Sequence, residues 1–257
     1  MKYSSAAFAC GALIATLIVA SGCAGNDQFQ KPQPDKASDI NLELGIDYLR
    51  KGNLSEAKEK IERSLSQNPR NANAQATAGM LYQRLNDIDK ADSHYDRAVS
   101  LDGENPEILN SYAAFLCTNG RYEKGEKIAL RAAANQLYKT PEVAYMNAGN
   151  CARNAGKLKA AEDNYRHALG ARPRFAAALF KMADLEFTQS RFLSARAFLE
   201  RYLAVARTSA ESLWLAVRIE RGLGNTVAAN DYARRLRSDY PTSPEARQLL
   251  ETERKPG

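Results

Sequence analysis

Apolar and small residues recur along most of the chain at helical spacing, in paired blocks separated by short polar turns. The segments LELGIDYLRKGNLSEAKEKIERSLSQNP from Leu42, ATAGMLYQRLNDIDKADSHYDRAVSLD from Ala76 and MNAGNCARNAGKLKAAEDNYRHALGARP from Met146 align on one another. Each carries a small residue in its first half (Gly45, Gly79, Gly149), a second in its later half (Ala57, Ala91, Ala161) and a large residue four positions on (Ile61, Tyr95, Tyr165). Helices approach closely only where neither presents bulk at the crossing, so this pattern predicts stacked helical hairpins. Between the two halves of each block, Gly52, Gly120, Gly156 and Gly224 mark a turn just past a helix, where a left-handed residue is favoured. Asn86-Asp87 and Ser190-Arg191 mark the corresponding turns in two further blocks.

This pattern resembles the tetratricopeptide repeat, whose period is about 34 residues. Starting repeats at Ser38, Ala72, Pro106, Glu142, Ala176 and Ala210 accounts for residues 38 to 243, with one short insertion between the third and fourth. Weaker copies fit through Ala113 and Gly125, Ala183 and Ala195, and Ala229 and Pro241. The resemblance implies an all-α fold, a right-handed superhelix (α-solenoid) of six repeats. Beyond Pro244, Ala246, Leu249 and Leu250 share a helical face, the pattern of a capping helix that ends the six-repeat domain at 252, with 253–257 a frayed tail.

The beginning of the chain reads differently. An apolar stretch from Ala6 to Ala20 follows Met1 and Lys2, too short for a comfortable membrane span and suited to a secretion signal. It ends in Ala20-Ser21-Gly22-Cys23, which resembles the lipobox of bacterial lipoproteins. The resemblance implies a signal peptide over 1–22, lipid attachment at Cys23 and, with Ala24 rather than Asp next, an outer-membrane address facing the periplasm. An ordinary signal peptide is the alternative. Residues 23–37 are polar and proline-bearing, a tether with a stretched reach of at most roughly 45 to 50 Å.

Composition narrows the function classes. The chain has 257 residues, 44% of them hydrophobic, and a net charge of +6 in which 36 basic residues are interspersed with 30 acidic ones. Without a basic run to track phosphates, the charge describes a solvated mixed surface, and no nucleic-acid partner is expected. No phosphate loop, nucleophile elbow or HExxH motif occurs, and His94 and His167 fall in different repeats without ligand-spaced neighbours. No enzyme activity, metal, cofactor or small-molecule substrate is expected.

Four cysteines are present. Cys10 leaves with the signal peptide and Cys23 takes the lipid, leaving Cys117 and Cys151. Repeat numbering puts them at nearly equal height on neighbouring parallel helices. A disulfide joining repeats three and four, suited to an oxidising compartment, or two buried thiols would each fit there.

By the same resemblance, the first helices of the repeats line a concave face. Repeats one and two supply an apolar strip of Leu42, Ile46, Leu49, Ala76 and Met80, repeat four supplies Asn150, Arg153 and Asn154, and repeat six supplies Trp214, Arg218 and Arg221. The strip reads as a groove for an amphipathic partner helix or extended segment, or as a stripe packed on the second helix of repeat one. Ile40 and Leu44 risk exposure because no repeat precedes them. Trp214, Arg218 and Arg221 form a second candidate patch.

Lipobox, tether, six repeats and the Cys117/Cys151 pair together resemble the type IV pilus biogenesis lipoproteins, the PilF/PilW pilotin family. That resemblance implies a monomeric, lipid-anchored protein that escorts the pilus secretin to the outer membrane and promotes its multimerisation. A scaffold role in β-barrel assembly or in envelope and cell-wall regulation is the alternative.

Overall fold

The computed structural model describes residues 34–254, so the expected signal peptide, Cys23 and most of the tether lie outside the described residues. Thirteen α-helices follow one another among them: α1 (Pro34–Lys51), α2 (Leu54–Gln67), α3 (Ala72–Arg84), α4 (Ile88–Leu101), α5 (Pro106–Thr118), α6 (Tyr122–Ala134), α7 (Pro141–Asn154), α8 (Leu158–Ala171), α9 (Ala176–Thr188), α10 (Phe192–Leu203), α11 (Ala210–Gly222), α12 (Thr226–Asp239) and α13 (Pro244–Arg254). Each odd-numbered helix up to α11 packs on the helix that follows it, and first helices also meet across repeats, α1 with α3, α3 with α5, α5 with α7 and α9 with α11, while Arg153 of α7 reaches Asp184 of α9. The result is a solenoid of six helical hairpins closed by α13.

The turn inside every hairpin has one solution. Gly52, Gly120, Gly156 and Gly224 take φ of 79°, 77°, 77° and 72°, and Asn86 and Ser190 take 60° and 58° at the equivalent place. The residue after each donates its N–H back to a carbonyl five residues earlier, as Asn53 does to Tyr48 (3.0 Å) and Arg191 to Glu186 (2.9 Å). This left-handed closure satisfies carbonyls that the helix end would otherwise orphan, and glycine adopts it without strain.

The small residues sit where the helices cross. A β-carbon on Gly45 would come within 2.6 Å of Ile61 Cγ1, and one on Gly79 within 2.8 Å of the Tyr95 ring. Ala57, Ala91 and Ala161 have no exposure, and Ile61, Tyr95 and Tyr165 at most 1%. The core continues from repeat to repeat, with one cluster running from Leu49 to Ala148 and a second from Ala152 to Ile219.

Both ends depart from expectation. α1 begins at Pro34, ahead of Ser38, so the last residues of the expected tether are helical. They are held there because Asn68 donates to Asp35 (2.8 Å) and Asn71 to Asp39 (3.0 Å), while buried Ser38 bonds Ser64 (2.9 Å). At the other end α13 continues through Glu253 and Arg254, two residues into the expected frayed tail. Glu253 is fixed by Arg237 at 2.8 Å and lies 3.7 Å from Arg221. Ala246 and Leu249 are buried as the cap requires, but Leu250 points to solvent. The segment carrying the insertion between repeats three and four is tied to the loop before α5, with Asn135 donating to the Glu104 carbonyl (2.9 Å) and Tyr138 buried.

Candidate functional site

Because the first helices of successive repeats neighbour one another, their outward positions form one continuous face. The apolar strip expected at its amino-terminal end divides into core and surface. Leu42 and Leu49 are 7% and 3% exposed, and Ala76 is also buried; Leu49 belongs to the core that includes Ala57 and Ile61. These residues are buried, which corrects their assignment as groove contacts: Leu49 packs on Ala57 and Ile61 of the second helix of repeat one, and Ala76 on Ala98 and Ile108. Ile46 and Met80, at equivalent places one repeat apart, remain accessible at 37% and 40%. Ile40 and Leu44 are also open, as the lack of a preceding repeat requires.

Further along, the face turns polar. Ala114, Cys117 and Thr118 of α5, Asn147, Asn150, Arg153 and Asn154 of α7, and Lys181 of α9 line a cavity of about 300 Å³. Asn147 donates to Asn110 across to α5 (2.9 Å), and the Tyr165 hydroxyl donates to the Asn150 carbonyl oxygen (2.9 Å). Arg153 is held by Asp184 at 2.6 Å. Repeat positions in the sequence point to Asn150, Arg153 and Asn154 but not to Asn147 or Lys181. The signal for Asn147 was its helical spacing to Asn150; nothing local pointed to Lys181, which enters from another repeat.

The floor of this region is the Cys117–Cys151 disulfide, with α-carbons 5.2 Å apart. Both cysteines are buried. Gly125, where the other full repeats carry alanine, makes room for it: a β-carbon there would lie 2.8 Å from Cys117 Sγ and 3.0 Å from Cys151 Sγ.

The second expected patch is rearranged. The Arg218 guanidinium lies 4.6 Å from the Phe187 ring centre and 5.5 Å from that of Trp214, and 4.0 Å from Asp184. Burial pulls its pKa below the usual guanidinium value. Phe187 was not anticipated, since it comes from α9. Arg221 turns away to the cap, donating to Thr252 (3.2 Å) and facing Glu253, so it is a tie between helices and not part of the patch.

The histidines are structural. His94 stacks on Tyr82 with ring centres 5.3 Å apart, bonds Gln75 (2.7 Å) and has its pKa lowered by burial. His167 packs edge-on to Tyr145. Among the described residues no group of three or more His, Cys, Asp or Glu is placed to hold a metal ion, and no helix is long and apolar enough to cross a membrane.

Residues 72–105 and 146–212 match the tetratricopeptide repeat family. Over 211 residues the chain is 28% identical to the type IV pilus assembly protein PilF of Pseudomonas aeruginosa, covering 82% of this chain and 84% of the relative. The crystal structure of PilW, a widely conserved type IV pilus biogenesis factor, superposes with a TM-score of 0.78 at 29% identity, covering 83% of this chain and 98% of PilW. The chain is a tetratricopeptide-repeat homologue of PilF and PilW. The structure of P. aeruginosa PilF agrees, with a TM-score of 0.75, 27% identity and coverage of 85% of this chain and 98% of PilF. The likeness to PilF and PilW therefore extends over nearly the whole described solenoid, not over the two matched repeat segments alone.

Proposed function

We propose that this protein acts in type IV pilus biogenesis as an outer-membrane lipoprotein that binds the pilus secretin, escorts it to the outer membrane and promotes its multimerisation. The observation that carries the reading is the likeness to PilF and PilW across 98% of each of their solved chains. The lipobox-like run ending at Cys23 supplies an anchor, and a repeat scaffold without a nucleophile motif suits holding a partner. Contact with the secretin falls on the accessible apolar residues at equivalent places of the first two repeats, Ile46 and Met80. An amphipathic segment of the partner would cover them. Neighbouring secretin subunits then displace the escort as they assemble, with no nucleotide or cofactor required.

The test is a detergent pull-down of the tagged protein from a piliated cell, with mass spectrometry of what accompanies it. Wild type, Cys23→Ser and an Ile46→Asp/Met80→Asp variant are compared. Recovery of the secretin by wild type, its loss with the charged variant, and mislocalised secretin with Cys23→Ser support the proposal. Recovery of barrel-assembly or cell-wall proteins in place of the secretin overturns it.

A further inference from the structure

We infer that the edge of the solenoid formed by its repeat junctions, from the α6–α7 loop to the α10–α11 loop, rests on an anionic phospholipid bilayer. Leu137 enters the bilayer, and Lys139, Arg174, Arg201 and Arg207 meet its phosphates. The inference takes the Cys23 lipid anchor from the reading above and takes nothing from the secretin.

Hairpin turns and junction loops lie at opposite ends of the helices, so the solenoid has two edges. Their basic residues are treated differently. At the hairpin turns each of Lys51, Lys90, Arg121, Lys157 and Arg191 has a carboxylate within 2.6 to 3.3 Å. At the junctions Lys139, Arg174, Arg201 and Arg207 are exposed and make no ion pair among the described residues. Of the carboxylates nearby, Glu142 is taken by Arg172 at 3.3 Å, and Glu200 and Glu211 stand against these cations. Uncancelled positive charge spread along one edge is attracted to an anionic surface.

The same loops present apolar groups. Leu137, 88% exposed, is the most open of the large hydrophobic residues described. Its turn is held: the Leu137 N–H donates to the Asn135 side chain (2.9 Å), the Tyr138 N–H donates to the Asn135 carbonyl (3.1 Å), and the Tyr138 side chain is buried. The leucine is therefore displayed at the tip of a fixed turn. In the next two loops Arg174 and Arg201 line a cavity of about 230 Å³ together with Pro173, Leu179, Ala204 and Val205. Arg201 is fixed there by donating to the Pro173 carbonyl (3.2 Å). Guanidinium groups beside an apolar recess suit a phosphate that carries a hydrocarbon chain.

Topology sets which edge meets the membrane. The first helix of every repeat starts at the junction edge, and α1 does too, since Asn68 of the α2–α3 junction donates to Asp35 (2.8 Å). The chain therefore enters the solenoid on the edge that carries Leu137. From Cys23 to Pro34 the stretched reach is at most about 40 Å. An acylated Cys23 keeps the junction edge within that reach of the bilayer, while the hairpin turns lie a helix length, about 20 Å, farther along.

The experiment sediments the mature chain from residue 23, carrying Cys23→Ser, with sucrose-loaded vesicles of phosphatidylcholine alone or with about one-third phosphatidylglycerol. Expected is partition at least about tenfold higher onto the phosphatidylglycerol vesicles, weakening as salt is raised. Lys139→Glu/Arg174→Glu/Arg207→Glu should lose that preference, and Leu137→Ser should lower partition at least about threefold. Lys51→Glu/Lys157→Glu, on the turn edge, should leave it unchanged. Circular dichroism checks folding, and Leu137→Ser decides the matter if the triple variant is misfolded. No preference for the charged vesicles, equal losses from both edges, or release by inorganic phosphate at matched ionic strength, which would mark a free-phosphate site, would each overturn the inference. Because the tested protein has no lipid, such a failure leaves the anchor and secretin readings standing.

Discussion

Gly125 lies so close to Cys117 that a single methyl group added at its α-carbon would come within 2.8 Å of the cysteine sulfur. The repeat's small-residue position has been emptied completely to house a disulfide in place of an aliphatic contact. Gly125→Ala should therefore destabilise the oxidised protein by about 1 to 3 kcal/mol through overpacking. In a Cys117→Ala/Cys151→Ala background the same change should cost less than half as much, since the sulfurs are gone and alanine is the better helix former. Urea denaturation of the four proteins measures the coupling; equal costs in both backgrounds would show that the sulfurs do not set the constraint.

A second prediction concerns the two non-glycine residues at left-handed turns. Ser190→Gly should stabilise by about 0.5 to 1 kcal/mol, because it removes a side chain from φ of 58°. Asn86→Gly should gain less, since asparagine tolerates that region. Thermal unfolding of both variants distinguishes the strain from a packing effect, which would not rank them in this order.

Acid sensitivity has a defined source. Burial would raise the pKa of Glu162, but Arg191 at 2.8 Å and Arg166 at 2.9 Å outweigh it and hold the carboxyl below its usual value of 4.5. A carboxylate with a depressed folded pKa stabilises above the unfolded pKa and loses that contribution as pH falls through the folded value. The stability gap between wild type and Glu162→Gln should thus be full at pH 6 and shrink below about pH 4.5. A gap that stays constant down to pH 3 would locate the effect in shape and not charge.

The division of the amino-terminal stripe is equally testable. Leu49→Asp should cost about 4 kcal/mol or more, by placing an unpaired charge among the core residues around Ile61. Ile46→Asp should shift stability by under about 1 kcal/mol. Similar melting temperatures for the two would contradict their assignment to core and surface.

That stripe also shows where sequence reasoning stops. Periodicity locates the helices, and the spacing of small and large residues is enough to set Gly79 against Tyr95. Periodicity alone does not say which side of α1 the second helix covers, so Leu49 and Ile46 look alike in sequence. Residues gathered from separate repeats are harder still. Lys181 joins the asparagines of α7, and Phe187 joins Arg218 and Trp214, only because neighbouring first helices are in register. The ends are hard to place in sequence for a similar reason, since Asp35 and Glu253 are held by Asn68 and Arg237, partners distant along the chain.

In a solenoid each hairpin touches only its neighbours, so the array behaves as a one-dimensional lattice in which melting starts at the ends and travels inward. The Cys117–Cys151 bond joins the third and fourth of six units, at the midpoint of that lattice, and spans a sequence separation of 34. A melting front arriving from either terminus meets a junction that cannot part while the bond is intact. The two outer arms can then breathe separately about a fixed centre, and a pull on the amino-terminal end would unravel the first two hairpins without reaching the other half.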